Sequence, residues 1–442
     1  MRTGLAGPVF DQSTRLVERL HALVPGGAHT YAKGDDQYPE HMAPVIVRGA
    51  GAHVWDADGN EFIEYGSGLR SVILGHAHPR VNAAAAAAMA NGTNFTRPSV
   101  LEVTAAETLL STLPHADMVK FAKNGSDVTT AAVRLARAIT GRDLVAICAD
   151  QPFFSVDDWF IGSAAMPAGI PRAIRDLTLG FAFDDLPALS RLLDEHDDQV
   201  ACIVLEAATA VEASPGYFTS LRHLCDERGV LLVLDEMITG FRWGLGGAQA
   251  LYGIEPDLST FGKAMGNGFA VSALAGRREH MERGGWNHED ERVFLLSTTH
   301  GAETHALAAS VAVIEEFRAR PVPEHLAALG ARLAAGVRAA ATAAGVGDHI
   351  LVLGHPANLV YATLGEDGER SQPFRTLFMQ ELLRHGVLAP SFVVSDAVTF
   401  DDVDATIEAV FSGCEVYSRA LRHGIDRYLS GRPVKPAIRP FA

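Results

Sequence analysis

The segment 229–268, GVLLVLDEMITGFRWGLGGAQALYGIEPDLSTFGKAMGNG, limits the possible folds of this chain more than any other stretch. It opens with a continuous apolar run over 230–234, which reads as a strand buried on both faces. The run ends abruptly in Asp235-Glu236, and a second short run over 257–261 delivers Gly262-Lys263 into a glycine-rich turn. In an open α/β sheet, ligands bind in the crevice outside the carboxyl ends of the strands. A carboxylate ending one buried strand and an amine ending another would face that same crevice. Taken singly, Asp235 could be a strand-end cap and Lys263 a solvated loop lysine.

Taken together they suit pyridoxal 5′-phosphate (PLP), with Lys263 as the Schiff-base lysine. Asp235 would hold the pyridine nitrogen protonated so that the ring can accept carbanion electrons. LVLDEMITGFR followed by TFGKAMGNGF resembles the core of the class III aminotransferases, fold-type I PLP enzymes, and within them the group around glutamate-1-semialdehyde 2,1-aminomutase. The similarity runs from about Pro25 into the 400s. It implies an α/β architecture: a large domain with a mostly parallel seven-stranded sheet flanked by helices, and a smaller α+β domain. The expected division is an amino-terminal segment 1–70 (helix and hairpin), a PLP-binding domain 71–318 and a carboxyl-terminal small domain 319–442.

Bulk properties narrow the function classes. A chain of 442 residues can bury a large core and divide into two domains. Its 37 basic against 53 acidic residues argue against a nucleic-acid binder, which would carry a basic excess. No apolar run is long enough to span a bilayer, and 1–11 lacks the apolar centre of a signal peptide, so a cytoplasmic location is expected. Cys148, Cys202, Cys225 and Cys414 are scattered without metal spacing and read as free thiols in a reducing compartment. His76 and His78 lack a third ligand, so a turn is the better account of them and no metal is expected.

In chain order, 12–24 has helical spacing, and 44–65 reads as a β-hairpin about Asp58-Gly59. The strand MVKFAK, 118–123, runs into Asn124-Gly125-Ser126-Asp127 and a helix over 128–140. Gly125 permits close backbone approach, and Ser126 offers a hydroxyl at a helix start, which is an anion site or a plain N-cap. Further strands are expected at 144–148, 201–206, 271–275, 294–298, 350–353 and 357–363, with helices over 302–318, 321–344 and 373–384.

The resemblance assigns roles along this order. Gly125 and Ser126 match the family's PLP-phosphate segment. Pro152 and Phe153 stand where the family has an aromatic-His pair, making Phe153 the ring that stacks on the pyridine, with Phe154 behind it on the substrate side. Glu206 ends a strand at the family's Val-Glu-Pro position; it holds the phenolic side of the cofactor or the substrate amine, or pairs structurally with Arg242. Met237 replaces a valine against the second ring face. Thr299, or Thr298, matches the threonine that reaches the phosphate of a neighbouring subunit, so the site needs a homodimer. On the substrate side Lys33 stands for the aminomutase's carboxylate-binding arginine, or is a surface lysine. Leu69 replaces a tryptophan, and the adjacent Arg70 could pair with an anionic substrate group.

These departures touch the substrate side and leave the cofactor residues in place. The expectation is therefore a ping-pong transfer of an amino group from an amino donor to a carbonyl acceptor of amino-sugar or other specialised metabolism. Intramolecular 2,1-amino transfer is the alternative. A catalytically silent module is disfavoured by the retained Asp235 and Lys263. Nucleotide chemistry is disfavoured because GKAMGNG lacks Walker spacing and GSGLRS does not complete GxGxxG.

Overall fold

The computed structural model describes residues 7–151, 153–208 and 210–440. Its strands in chain order are β1 Ile46–Ala50, β2 His53–Asp56, β3 Glu61–Glu64, β4 Met118–Ala122 and β5 Leu144–Cys148. Next come β6 Thr178–Phe181, β7 Val200–Glu206, β8 Leu231–Asp235, β9 Leu258–Phe261 and β10 Ser272–Gly276. β11 Ile350–Leu353, β12 Val360–Thr363 and β13 Val387–Leu388 complete the set. The chain divides into two compact units, one of 1–69, 73–78 and 324–442, the other of 70–72 and 79–323.

The larger unit is built on a seven-stranded sheet in the order β4-β10-β9-β8-β7-β5-β6. Only β10 runs against its neighbours, pairing antiparallel with both β4 and β9. The remaining pairs, β5–β6, β5–β7, β7–β8 and β8–β9, are parallel. Every residue of β7 and β8 is buried, which is why both read as unbroken apolar runs rather than alternating ones. The apolar face of the helix Gly125–Thr140 closes over the sheet through Val128, Ala132, Leu135 and Ala136. Gly141, at φ 68°, ends that helix in the left-handed conformation that glycine adopts without a β-carbon clash.

The smaller unit has a four-stranded sheet, β1-β2-β3-β13, and a β11–β12 pair. Phe10, Val54, Phe62, Met379, Leu383 and Leu388 form one core there, joining the amino-terminal helix entry to the helix Gln372–Arg384. The expected hairpin over 44–65 is a three-stranded meander. Asp56 accepts hydrogen bonds from the amides of Asp58 (3.0 Å) and Asn60 (2.8 Å), closing its second turn around Gly59.

One expected strand is absent. Residues 294–298 pair with no sheet; instead the Arg134 guanidinium donates to the carbonyls of Phe294 (3.1 Å) and Leu295 (3.3 Å), leaving the Phe294 ring exposed. Elements that went unread include the helix Val100–Leu110, strand β6 and the helix Leu186–Glu195. The last begins at an Asp185 cap, whose carboxylate accepts from the Ala188 amide at 2.9 Å. No helix among the described residues is long and apolar enough to cross a membrane.

Candidate active site

The carboxyl ends of β7, β8 and β9 bring the chemistry of the larger unit together. Glu206 lies opposite Asp235 in the parallel register, and Asp235 lies opposite Thr260, three residues before Lys263. Two carboxylates and an amine therefore arise from three adjacent strands of one sheet edge, where strand-end ligands bind.

Asp235 is 1% exposed, and its carboxylate accepts from the Met237 amide at 2.8 Å and the Thr260 hydroxyl at 3.3 Å. Burial raises its pKa above the usual carboxylate range, against the opposing pull of Lys263 and of those two donors. The next residue, Glu236, points the other way, as strand alternation requires. It accepts from the amides of Ala248 (3.0 Å) and Gln249 (2.8 Å) and from the Thr239 hydroxyl, and so fastens the start of the helix Gly247–Tyr252. Of the paired acids, only Asp235 is turned toward Lys263.

Lys263 has φ 44°, a left-handed conformation that costs a residue with a β-carbon roughly 1–2 kcal/mol. Strain of this kind collects at functional sites. Its amine forms no hydrogen bond or ion pair among the described residues. Burial lowers its pKa, opposed by Glu206 and Asp235 and reinforced by Arg70 and Arg242. The neutral, nucleophilic form of the amine is thereby favoured.

Glu206 is 3% exposed, yet its Oε2 has no hydrogen-bond partner. The Glu206–Arg242 pairing left open by the sequence is not formed: the Glu206 carboxyl makes no ion pair among the described residues. Its backbone is held by Gln151, whose side-chain amide donates to the Glu206 carbonyl and accepts from its N–H, both at 2.7 Å. Burial, then the Asp235 charge, push the Glu206 carboxyl up to about 8, although Lys263 and Arg70 pull the other way. A buried acid oxygen without a partner costs free energy unless a bound group satisfies it.

Met237 explains two glycines. A β-carbon on Gly125 would lie 3.0 Å from the Met237 sulfur, and one on Gly262 only 2.7 Å from it. The thioether thus fills the space between the first turn of the Gly125–Thr140 helix and the Lys263 turn. Ser126, nearly buried in that first turn, accepts from the Val156 amide at 2.9 Å and keeps its hydroxyl proton for another acceptor. The amides of a first helical turn have no intrahelical acceptor, so this end attracts anions.

The remaining sequence-selected residues are distributed as follows. Phe153 is 46% exposed and meets Phe160 edge-on at 5.8 Å. Phe154 corrects the expectation of a substrate-facing ring: it is 2% exposed, packed edge-on against Phe160 at 5.6 Å within the main core. Its backbone carbonyl also accepts from the buried Thr129 hydroxyl at 2.8 Å, which fixes it in the interior. Pro152 lies outside the described residues. Lys33 belongs to the smaller unit, exposed in the short turn Tyr31–Lys33. Thr299 is exposed, its carbonyl accepting from the Asn94 side chain at 2.9 Å. A polar cavity of about 190 Å³ opens beside it, lined by Asn94, Arg97, Ser99 and Thr298 among others.

Arg70 ends a run of four left-handed residues, Ser67, Gly68, Leu69 and Arg70, at φ 44°, 56°, 59° and 72°. The fully buried Arg242 donates to the Arg70 carbonyl at 3.3 Å. Sequence reasoning passed over Thr260 and Gln151, which orient Asp235 and Glu206. Neither has a motif of its own, since each acts through hydrogen bonds formed only in the folded chain. Among the described residues no group of three or more His, Cys, Asp or Glu could hold a metal, and all four cysteines are buried free thiols.

The comparisons with known proteins agree with this chemistry. The family model for aminotransferase class-III matches residues 35–150 and 164–393. A protein of Desulfatibacillum aliphaticivorans named glutamate-1-semialdehyde 2,1-aminomutase is 32% identical over 423 residues, covering 90% of this chain and 98% of its own length. Among solved structures, the FumI protein of Sphingopyxis sp. MTA144 in a PLP form aligns at TM-score 0.85 with 28% identity, over 95% of this chain and 98% of that one. An omega-transaminase from Sphaerobacter thermophilus aligns at TM-score 0.82 with 25% identity, over 95% of this chain and 99% of that one.

Proposed function

The chain belongs to the class-III aminotransferases, whose cofactor is PLP, and from that membership we propose that it moves an amino group between separate donor and acceptor molecules by a ping-pong sequence. The observation that carries the reading is the Lys263 amine, unbonded and held toward its neutral form beside the strand-end carboxylates Asp235 and Glu206. PLP, when bound, supplies the electron sink for the carbanion formed at the substrate carbon. Asp235 is the residue to hold the proton on the ring nitrogen. Gly125 and Ser126 suit the phosphate, and the free Glu206 oxygen meets a polar atom of cofactor or substrate. Lys263 takes the proton from the substrate carbon as base and returns it as acid. Met237 and Phe153 are the side chains proposed to bound the two ring faces.

The acceptor is proposed to be a carbonyl compound of specialised metabolism, amino-sugar precursors included. Lys33 in place of an arginine and Leu69 in place of a tryptophan support this departure from the aminomutase's substrate. We also place the working form as a homodimer, with Thr299 and its cavity meeting the phosphate of a partner copy.

Intramolecular amino transfer is the second reading, favoured by the name of the 32%-identical relative. Nitrogen-15 donor separates the two. External label in the product supports transamination; product that carries only the substrate's own nitrogen contradicts it.

A further inference from the structure

The helix Gly125–Thr140 carries two adjacent threonines just past its first turn, Thr129 and Thr130, and the chemistry above uses neither. Threonine is a weak helix former, and within a helix its hydroxyl commonly turns back to a carbonyl one turn earlier. The Thr130 hydroxyl is given instead to the loop that follows β5. The Trp159 indole N–H donates to it at 2.8 Å, and it donates in turn to the Asp157 carboxylate. Ser155 Oγ lies 3.2 Å away and has to be a donor, because a hydroxyl has one proton and a carboxylate only accepts. Both acceptor sites and the one proton of Thr130 Oγ1 are therefore filled by a single loop.

The same loop is fixed at neighbouring positions. Thr129 holds the Phe154 carbonyl, and the Asp157 amide donates to the fully buried Ser155 Oγ at 3.1 Å. The Val156 amide donates to Ser126 Oγ at 2.9 Å, and the Phe153 ring rests edge-on against Phe160 in the short helix Asp158–Ile161. Two side chains assigned above to the cofactor, Ser126 to its phosphate and Phe153 to a ring face, thus depend on one stretch, 153–160, whose hub is Thr130. The bond to Asp157 is charge-assisted and so the strongest kind available to a hydroxyl. Trp159 and Ser155 are buried, so without the Thr130 oxygen their donors would be left unpaired at a cost.

We propose that Thr130 is a positioning residue for the cofactor. By tying 153–160 to the start of the helix, it keeps the Phe153 ring and the Ser126 hydroxyl in fixed register with each other. It acts through these two side chains and through no contact of its own with cofactor or substrate. The inference rests on the PLP reading above for what the loop and helix start hold, while the tether itself can be measured without cofactor.

The test compares the full-length chain as wild type, Thr130→Val, which keeps size and branching without the hydroxyl, and Thr130→Ser, which keeps the hydroxyl. Amide hydrogen exchange over 153–160 is followed without PLP. The PLP dissociation constant is measured by equilibrium dialysis, and circular dichroism of the visible cofactor band reports how the ring is seated. Thr130→Val should speed exchange at the Val156 and Asp157 amides, weaken PLP roughly 5- to 50-fold and diminish the dichroism per bound PLP, with Thr130→Ser close to wild type. A purely structural role would lower the urea midpoint of Thr130→Val and leave the affinity and dichroism of the folded protein unchanged. That result overturns the inference, as does unchanged exchange. Faster exchange in Thr130→Val with no PLP bound by wild type would leave the tether standing and overturn the PLP reading, and the positioning role with it. Should Thr130→Val not fold, Asp157→Asn weakens the charge-assisted bond alone and is expected to move the same quantities in the same direction by less; no movement there overturns the inference.

Discussion

Glu206 gives the most direct handle on how the free chain stores electrostatic cost. Its folded pKa is raised from an ordinary 4.5 to about 8, so between those values the folded state holds a proton that the unfolded state has released. Stability attributable to this group is therefore fully present below the unfolded pKa and is lost as pH rises through the folded one, at about 1.4 kcal/mol per pH unit while it is titrating. Glu206→Gln removes the titration and keeps the shape. Urea unfolding of the PLP-free protein from pH 5 to 8 should show the variant gaining on wild type as pH rises. Parallel curves would contradict the assignment. The signal for Glu206 in the sequence was its place at the end of an apolar run. Its missing partner and the Gln151 clamp on its backbone became visible only when β7 and the loop after β5 were placed together. Phe154 failed for the related reason that two neighbouring rings look alike in a sequence, and only packing decides which one enters the core.

Where helix and turn meet, Met237 joins the start of the Gly125–Thr140 helix to the end of β9. Gly262 has an extended φ of 179°, so alanine there meets no backbone penalty and collides only with the Met237 sulfur. Gly262→Ala should cost about 1–3 kcal/mol, as overpacking in a core does. Combined with Met237→Val it should recover most of that loss, a non-additivity that a double-mutant cycle of unfolding free energies measures directly. Strictly additive costs would place the glycine's role elsewhere. The strands most legible in the sequence were the fully buried β7 and β8, where burial on both faces leaves one unbroken apolar signature. The expected 294–298 strand misled because an apolar stretch does not reveal whether a sheet edge is available to it; Arg134 satisfies its carbonyls instead. The left-handed Ser67–Arg70 run was illegible, since three of its residues are of types that rarely adopt that conformation.

Besides the strand-end crevice, the larger unit carries a polar cavity at Thr299. If that cavity completes a partner's phosphate site, Thr299→Ala should leave folding nearly unchanged while loosening PLP several-fold. Equilibrium dialysis of the cofactor and sedimentation of the loaded protein check both halves. Unaltered PLP affinity, or a monomer that holds PLP as tightly as an assembly, would remove the shared-site proposal. The seven-stranded sheet and its family were readable because the motif spans its two central strand ends. The substrate side was not: Lys33 and Leu69 stand where the resemblance has an arginine and a tryptophan, so the motif lends them no role.

The central claim is that Lys263 is the residue that bonds to the cofactor. Borohydride reduction of the PLP-loaded protein, followed by peptide mass mapping, tests it without reference to any substrate. The account predicts a single stable pyridoxyl adduct, carried by the peptide containing Lys263 and lost in Lys263→Ala. A label on another lysine, or none on a chain that visibly binds PLP, would contradict it.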